Sequence, residues 1–226
     1  MKTLATLALV TPFLLATSAS AVTVIDSFNL DSNALTTSGP QSSQSQPITI
    51  AGNPATRTAA ASSNGAMTQV YIHAGQFDFV SVPAGGVGSL EYANFALDAT
   101  ATPLLRLTIG SNLGPGQAEI GLISSSGFSP IASVVPIPFV ASPPTDLHFD
   151  LRTFAGYQPG FLSGVASLAI AFRGASGGDY FLKVNEIALI TEDEFGATLP
   201  EPNLLALMFP VVFAFSTRRK LPASHR

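Results

Sequence analysis

The chain has no cysteine and no tryptophan, and only 11% of its 226 residues are charged. Without cysteine there is neither a disulfide framework nor a thiolate metal centre. Without tryptophan, the aromatic faces open to a sugar or other flat ligand reduce to Tyr71, Tyr92, Tyr157 and Tyr180, most phenylalanines being needed inside. So little charge means a surface of hydroxyls and small side chains. Cations are scarcest: between the two ends the chain has Arg57, Arg106, Arg152, Arg173 and Lys183 against a clear majority of Asp and Glu. An acidic body with scattered cations excludes nucleic acid as a partner, because phosphate contacts need clustered Lys and Arg. No N-x-[ST] sequon is present either.

The body also lacks any sustained 3.6-residue apolar period. What it has instead is alternation. MTQVYIH and QFDFVSV form two β-rich runs joined at Ala74-Gly75, a hairpin signal. SLEYANFAL, LLRLTIGS, QAEIGLIS, IASVVPIPFV, TDLHFDLRTF, VASLAIAFRG and DYFLKVNEIALIT follow, separated by turn signals such as Gly114-Pro115-Gly116 and Pro143-Pro144. Leu105, Leu107 and Ile109 point one way and Arg106 and Thr108 the other, as a half-buried strand requires. In VASLAIAFRG, Leu168, Ile170 and Phe172 make one face and Val165, Ser167, Ala169 and Ala171 the other, which suits a central strand. Tyr180, Leu182 and Val184 share a parity that Ile187 and Leu189 break, so a one-residue bulge is expected near Asn185-Glu186.

From residue 31 to 65 large apolar residues are rare apart from Ile48-Thr49-Ile50, and this stretch reads as long loops around one short strand. The expected fold is all-β: roughly ten strands in a two-sheet antiparallel sandwich of jelly-roll type. The tract from the hairpin onward resembles the jelly rolls of exported bacterial proteins and of non-catalytic carbohydrate-binding modules, which implies a fold and hints at a ligand class.

Four places carry possible chemistry. Asp146, His148 and Asp150 alternate along one strand and share a face, an arrangement suited to a divalent cation or to acid and base work. The same alternation is also what a strand burying Leu147, Phe149 and Leu151 needs on its wet side, so the row reads first as a solvent face. Asp179, at the end of a glycine turn, is a weak candidate for a loop calcium site. Ser176 matches G-x-S-x-G, but a strand follows where a nucleophile elbow needs a helix, and Ser163 lacks even the pattern. His73 and His225 have no evident partner in sequence. No catalytic residue and no cofactor is assigned, calcium being the one ion considered.

The two ends differ from the body. At the start, Lys2, an apolar stretch from Leu4 to Leu15, and Ala19-Ser20-Ala21 make a secretory signal peptide over residues 1–21, cut after Ala21. At the other end, residues 197–226 contain Pro200-Glu201-Pro202, the apolar run NLLALMFPVVFAFST, and then Arg218, Arg219 and Lys220. These three elements in order resemble the PEP-CTERM sorting signal of exported bacterial proteins. The resemblance implies that an exosortase, a membrane protease, cuts near the tripeptide while the cations hold the tail in the cytoplasm, and that the product passes to the cell surface or an exopolysaccharide matrix. Fifteen helical residues reach only ~22 Å against a hydrocarbon core of ~30 Å, so the insertion into the inner membrane is expected to be transient. Sortase anchoring is disfavoured, since LPEPN lacks the Thr-Gly of LPxTG. The remainder, 22–196, is expected to be one β-sandwich domain. Three functions stay open: a structural or adhesive surface protein, a carbohydrate-binding module on the same route, and a hydrolase using Asp146, His148 and Asp150.

Overall fold

The computed structural model describes residues 22–198 except 33, 64, 84 and 175–177. The signal peptide with Ala19 and Ala21, the sorting tail with its apolar segment, Ser176 and His225 lie outside the described residues.

Among the described residues thirteen strands form two antiparallel sheets: β1 (Thr23–Asp26), β2 (Leu35–Thr37), β3 (Ser42–Ile50), β4 (Asn53–Ser62), β5 (Met67–His73), β6 (Gln76–Val82), β7 (Val87–Ala93), β8 (Leu104–Leu113), β9 (Gly116–Ser124), β10 (Ile131–Ile137), β11 (Thr145–Asp150), β12 (Val165–Gly174) and β13 (Tyr180–Ile190). The first sheet runs β11-β8-β13-β6-β5-β2, with β1 alongside the second half of β13; the other runs β10-β9-β12-β7-β4-β3. After β4 the chain passes repeatedly from one sheet to the other, as a jelly roll does. A short helix, α1 (Glu192–Thr198), follows β13. Among the described residues no helix is long and apolar enough to cross a membrane.

Alternation places the core between the sheets. Leu105, Leu107 and Ile109 of β8, Phe77 and Phe79 of β6 and Leu182 and Val184 of β13 meet Leu90, Ile120, Ile170 and Phe172 of the other sheet, all fully buried. Ring contacts cross the gap, with Phe77 and Phe172 centroids 5.6 Å apart. Gly88 of β7 is required here, because a Cβ would stand 2.5 Å from the Phe79 ring.

The expected bulge lies at Asn185, where the β13–β8 register shifts between Val184 and Glu186. Gly110 opposite leaves room for the Asn185 side chain, which a Cβ would meet at 2.5 Å. β12 is central, but its assignment of faces is corrected at one residue. A second bulge at Ala166 turns Val165 inward, where it is buried with Leu168 rather than sharing the side of Ala169.

The larger correction concerns residues 31–65, which hold β2, β3 and β4 rather than long loops. Ala51 and Gly52, both at positive φ, close a two-residue hairpin, as Ala74 and Gly75 do between β5 and β6. The inward side of β4 consists of Ala55, Arg57, Ala59 and Ala61, small residues that leave little hydrophobic signal in the sequence.

Arg57 is 1% exposed in this row, and its partners converge from three other strands or loops. Its guanidinium donates to the Asp26 carboxylate at 2.9 Å, to the Leu30 carbonyl at 2.6 Å and to the Gln46 side chain. Asp26 also accepts from the Tyr92 hydroxyl at 3.0 Å and from the Phe28 amide at 2.7 Å. Burial and the adjacent carboxylate raise the Tyr92 hydroxyl well above its ordinary pKa, so Tyr92 stays protonated and donates. Removing one partner leaves the other as an uncompensated buried charge. Arg57→Met is therefore expected to destabilise the fold by about 3–5 kcal/mol, measured as the change in urea unfolding free energy. A loss below about 1 kcal/mol would show that the network is dispensable.

Candidate functional site

The outer face of the first sheet holds both the chemistry read in the sequence and the chemistry the sequence reading missed. At its β11 edge, Asp146, His148 and Asp150 do share a face, opposite Thr108, Arg106 and Leu104 of β8. They do not act as a unit. Asp146 accepts from the Thr108 hydroxyl at 2.6 Å. Asp150 accepts from the backbone amide of Arg152, capping the 3-10 turn that follows, and from its guanidinium at 2.7 and 2.8 Å. That pairing lowers the Asp150 carboxyl below its ordinary pKa. Among the described residues no hydrogen bond joins either carboxylate to the imidazole, and His148 Nε2 is buried with no partner.

The row is also less open than a solvent face. α1 lies over it, started by the Thr191 hydroxyl, which accepts from the Glu194 amide, with three acids in the first turn. Glu194 pairs with Arg106 at 3.0 Å, Glu192 pairs with Arg152, and Phe195 meets the His148 ring edge-on at 5.0 Å. Arg106 binds Glu186 of β13 as well, at 2.6 Å. A cavity of about 370 Å³ remains between Leu104, His148, Asp150, Arg152, Glu192 and Phe195. Its two carboxylates, Asp150 and Glu192, both bind Arg152, which suits a latch between helix and sheet.

Asp179 is exposed, and among the described residues no three His, Asp or Glu side chains come together as a metal site. Ser163 sits on a 3-10 turn, with its hydroxyl donating to the Gly160 carbonyl at 2.7 Å.

A second constellation occupies the β5–β6–β13 region of the same outer face. Of the four tyrosines, Tyr92 and Tyr180 are buried and Tyr157 packs against the core, whereas Tyr71 stands on this face. Its ring stacks on His73, with centroids 4.1 Å apart and planes within 8°. His73 Nε2 is 2.7 Å from Asp78 Oδ2, and the Gln76 amide donates to the same oxygen at 3.2 Å. Asp78 is 4% exposed and its Oδ1 has no partner. The ladder then places Tyr71, Asp78, Lys183 and Ser111 in one row across four strands. The neighbouring row is Gln69, Val80, Phe181 and Leu113, the last 59% exposed. The Lys183 ammonium lies 5.6 Å from the Phe181 ring centroid. The parity of Tyr71 and His73 against Val70 and Ile72, with the Ala74-Gly75 turn, was the available signal for this cluster. The opposite outer face, on the second sheet, shows Thr56, Thr58, Ser89, Glu91, Ala169 and Ala171 on β4, β7 and β12, with no aromatic ring among the described outward residues of these strands.

No protein-family model matches the chain, and no curated protein matches it. Solved structures of similar fold do exist. The family 11 carbohydrate-binding module of the cellulosomal cellulase Lic26A-Cel5E of Clostridium thermocellum is 17% identical with a TM-score of 0.43, over 77% of this chain and 96% of that one. A family 11 module from Clostridium thermocellum in complex with a β-1,3-1,4-mixed-linked tetrasaccharide is 18% identical with a TM-score of 0.42, over 77% and 98%. The structure of PfGH50B is 14% identical with a TM-score of 0.39, over 58% and 22%. These likenesses concern fold and say nothing of a ligand for this chain.

His148 supplies a pH test of the latch. Burial lowers its pKa from the ordinary value of 6.5, an effect that Asp146 opposes and Arg106 reinforces. The unfolded chain then binds more protons than the folded one as pH falls through ~6.5, so this residue's contribution is kept above that pH and lost below it. His148→Phe, which preserves a ring against Phe195, is expected to lose less melting temperature than the native chain between pH 7 and pH 5. Equal losses would show that His148 is solvated and untethered.

Proposed function

We propose that the chain is an exported, non-enzymatic protein of the cell surface or extracellular matrix whose sandwich binds polysaccharide through the outer face of its first sheet. The observation that carries this reading is the Tyr71–His73 stack standing beside Gln76, Lys183 and Gln69 on a ladder two to four strands wide. A sugar ring has apolar faces and a rim of hydroxyls, so it asks for an aromatic plane edged by donors and acceptors. This face offers both, and the hydroxyl- and alanine-rich outer side of β4, β7 and β12 offers no ring among the described residues. The carboxylates of the β11 edge, tied to Thr108 and Arg152, favour binding over hydrolysis.

Delivery rests on the sequence signals. The signal peptide exports the chain, and Pro200-Glu201-Pro202 with Arg218, Arg219 and Lys220 suits handling by an exosortase after transient insertion in the inner membrane. A purely structural role is the reading that remains if no glycan binds.

Affinity electrophoresis of the purified full-length chain through gels containing soluble polysaccharides tests the binding claim. Retardation by at least one polysaccharide is expected, and Tyr71→Ala is expected to weaken it at least roughly tenfold, as for a central aromatic anchor. Retardation by none would overturn the reading. For delivery, intact-mass analysis of surface material from a host with an exosortase is expected to show a chain starting at Val22 and ending near Pro202. A chain still ending at Arg226 would sink the sorting assignment.

A further inference from the structure

The described residues contain five Lys or Arg side chains, and four are committed. Arg57 is paired with Asp26, Arg106 with Glu186 and Glu194, Arg152 with Asp150 and Glu192, and Arg173 lies 3.9 Å from Glu119. Lys183 has no carboxylate oxygen within ion-pair distance. Among the described residues, where acids outnumber cations, the one Lys or Arg without an ion pair stands on the aromatic face, in the same row as Tyr71 and two strands away from it.

Its register neighbour Asp78 makes no ion pair with it, although Asp78 Oδ1 has no hydrogen-bond partner among the described residues. That carboxylate is buried, one oxygen is occupied by His73 and Gln76, and the ammonium is drawn instead over Phe181. Glu186, farther along β13 on this face, is bound to Arg106. Exposed Glu91 and Glu119 belong to the opposite sheet, and charges farther off than the screening length of ~8 Å at physiological salt contribute little here. Strands ~4.8 Å apart put Tyr71 and Lys183 roughly 10 Å from each other, a span that asks for a chain of sugars.

We infer that the ligand of this face is an acidic polysaccharide, its sugar rings lying on Tyr71 and the Phe181 stripe and its anionic group, a uronate carboxylate or a sulfate ester, taken by Lys183. This deepens the polysaccharide-binding reading and rests on it. The shared chemistry is a charge-assisted contact between an ammonium and an oxyanion beside an aromatic plane.

The test compares two polyanions with their uncharged counterparts: polygalacturonate against its carboxyl-reduced form, and dextran sulfate against dextran. The full-length chain is assayed as native protein and as Lys183→Met, Lys183→Arg and Tyr71→Ala, with unfolding curves to verify that each is folded. Lys183→Met keeps the aliphatic stem over Phe181 and removes the charge. Binding of at least one polyanion is expected, roughly tenfold weaker for its uncharged form and for Lys183→Met, and largely retained in Lys183→Arg. Whichever polyanion binds identifies the anionic group. Equal binding of charged and uncharged forms, or unchanged binding by Lys183→Met with loss in Tyr71→Ala, would overturn the acidic ligand while leaving the polysaccharide reading intact. Loss of the native protein's binding to every polysaccharide would overturn both.

Discussion

Arg57, Asp26 and Tyr92 form the contact on which the closure of the sandwich depends. An arginine and an aspartate taken out of water together are tolerable only when nearly every donor and acceptor is used. Here the guanidinium reaches Asp26, Leu30 and Gln46, while the carboxylate takes Tyr92 and the Phe28 amide. The network fixes β1 and the turn after it against β4 and β7 of the other sheet. It also compensates for a thin apolar lining, since β4 brings mainly alanine to the interior. Where large side chains are few, directional bonds set the register that shape complementarity sets elsewhere.

The outer face of the first sheet is a by-product of the inner one. Burying Val70 and Ile72 obliges Gln69, Tyr71 and His73 to face outward, and burying Leu182 and Val184 turns Phe181 and Lys183 out. The bulge at Asn185 then resets β13, so that Glu186 comes to the outer side where Arg106 takes it. The sheet thus carries an aromatic and cationic region and, beyond the bulge, an ion-paired region under α1. A one-residue irregularity separates them.

Much of this was legible beforehand. The strands from Met67 onward, the Ala74-Gly75 hairpin and the Asn185 bulge follow from parity, because their inward residues are large. The β3–β4 hairpin was not legible, although Ala51-Gly52 repeats the same turn chemistry, because Ala55, Ala59 and Ala61 give alternation without hydrophobic contrast. The burial of Arg57 had no local signal, since its partners Gln46, Leu30 and Asp26 are 11, 27 and 31 residues away. Asp146, His148 and Asp150 were correctly placed on one face, but alternation cannot show that Thr108 and Arg152 occupy the carboxylates or that a helix covers the imidazole. Tyr71 was on the list of aromatics for a sugar; its pairing with His73, and the isolation of Lys183, required the ladder.

The first and last strands of the sandwich are neighbours, with Thr23 opposite Leu189 and Asp26 opposite Ile187. A polypeptide is made and moved from its amino end, so β1 must wait, unpaired, for a strand some 160 residues behind it. Such long-range pairing carries a large loop-closure entropy and slows folding. The buried cation of β4 waits as well, since Asp26 is positioned only when β1 docks. The second sheet and the β5–β6 hairpin need neither strand, so what must wait for β13 is the docking of β1 and with it the pairing of Arg57.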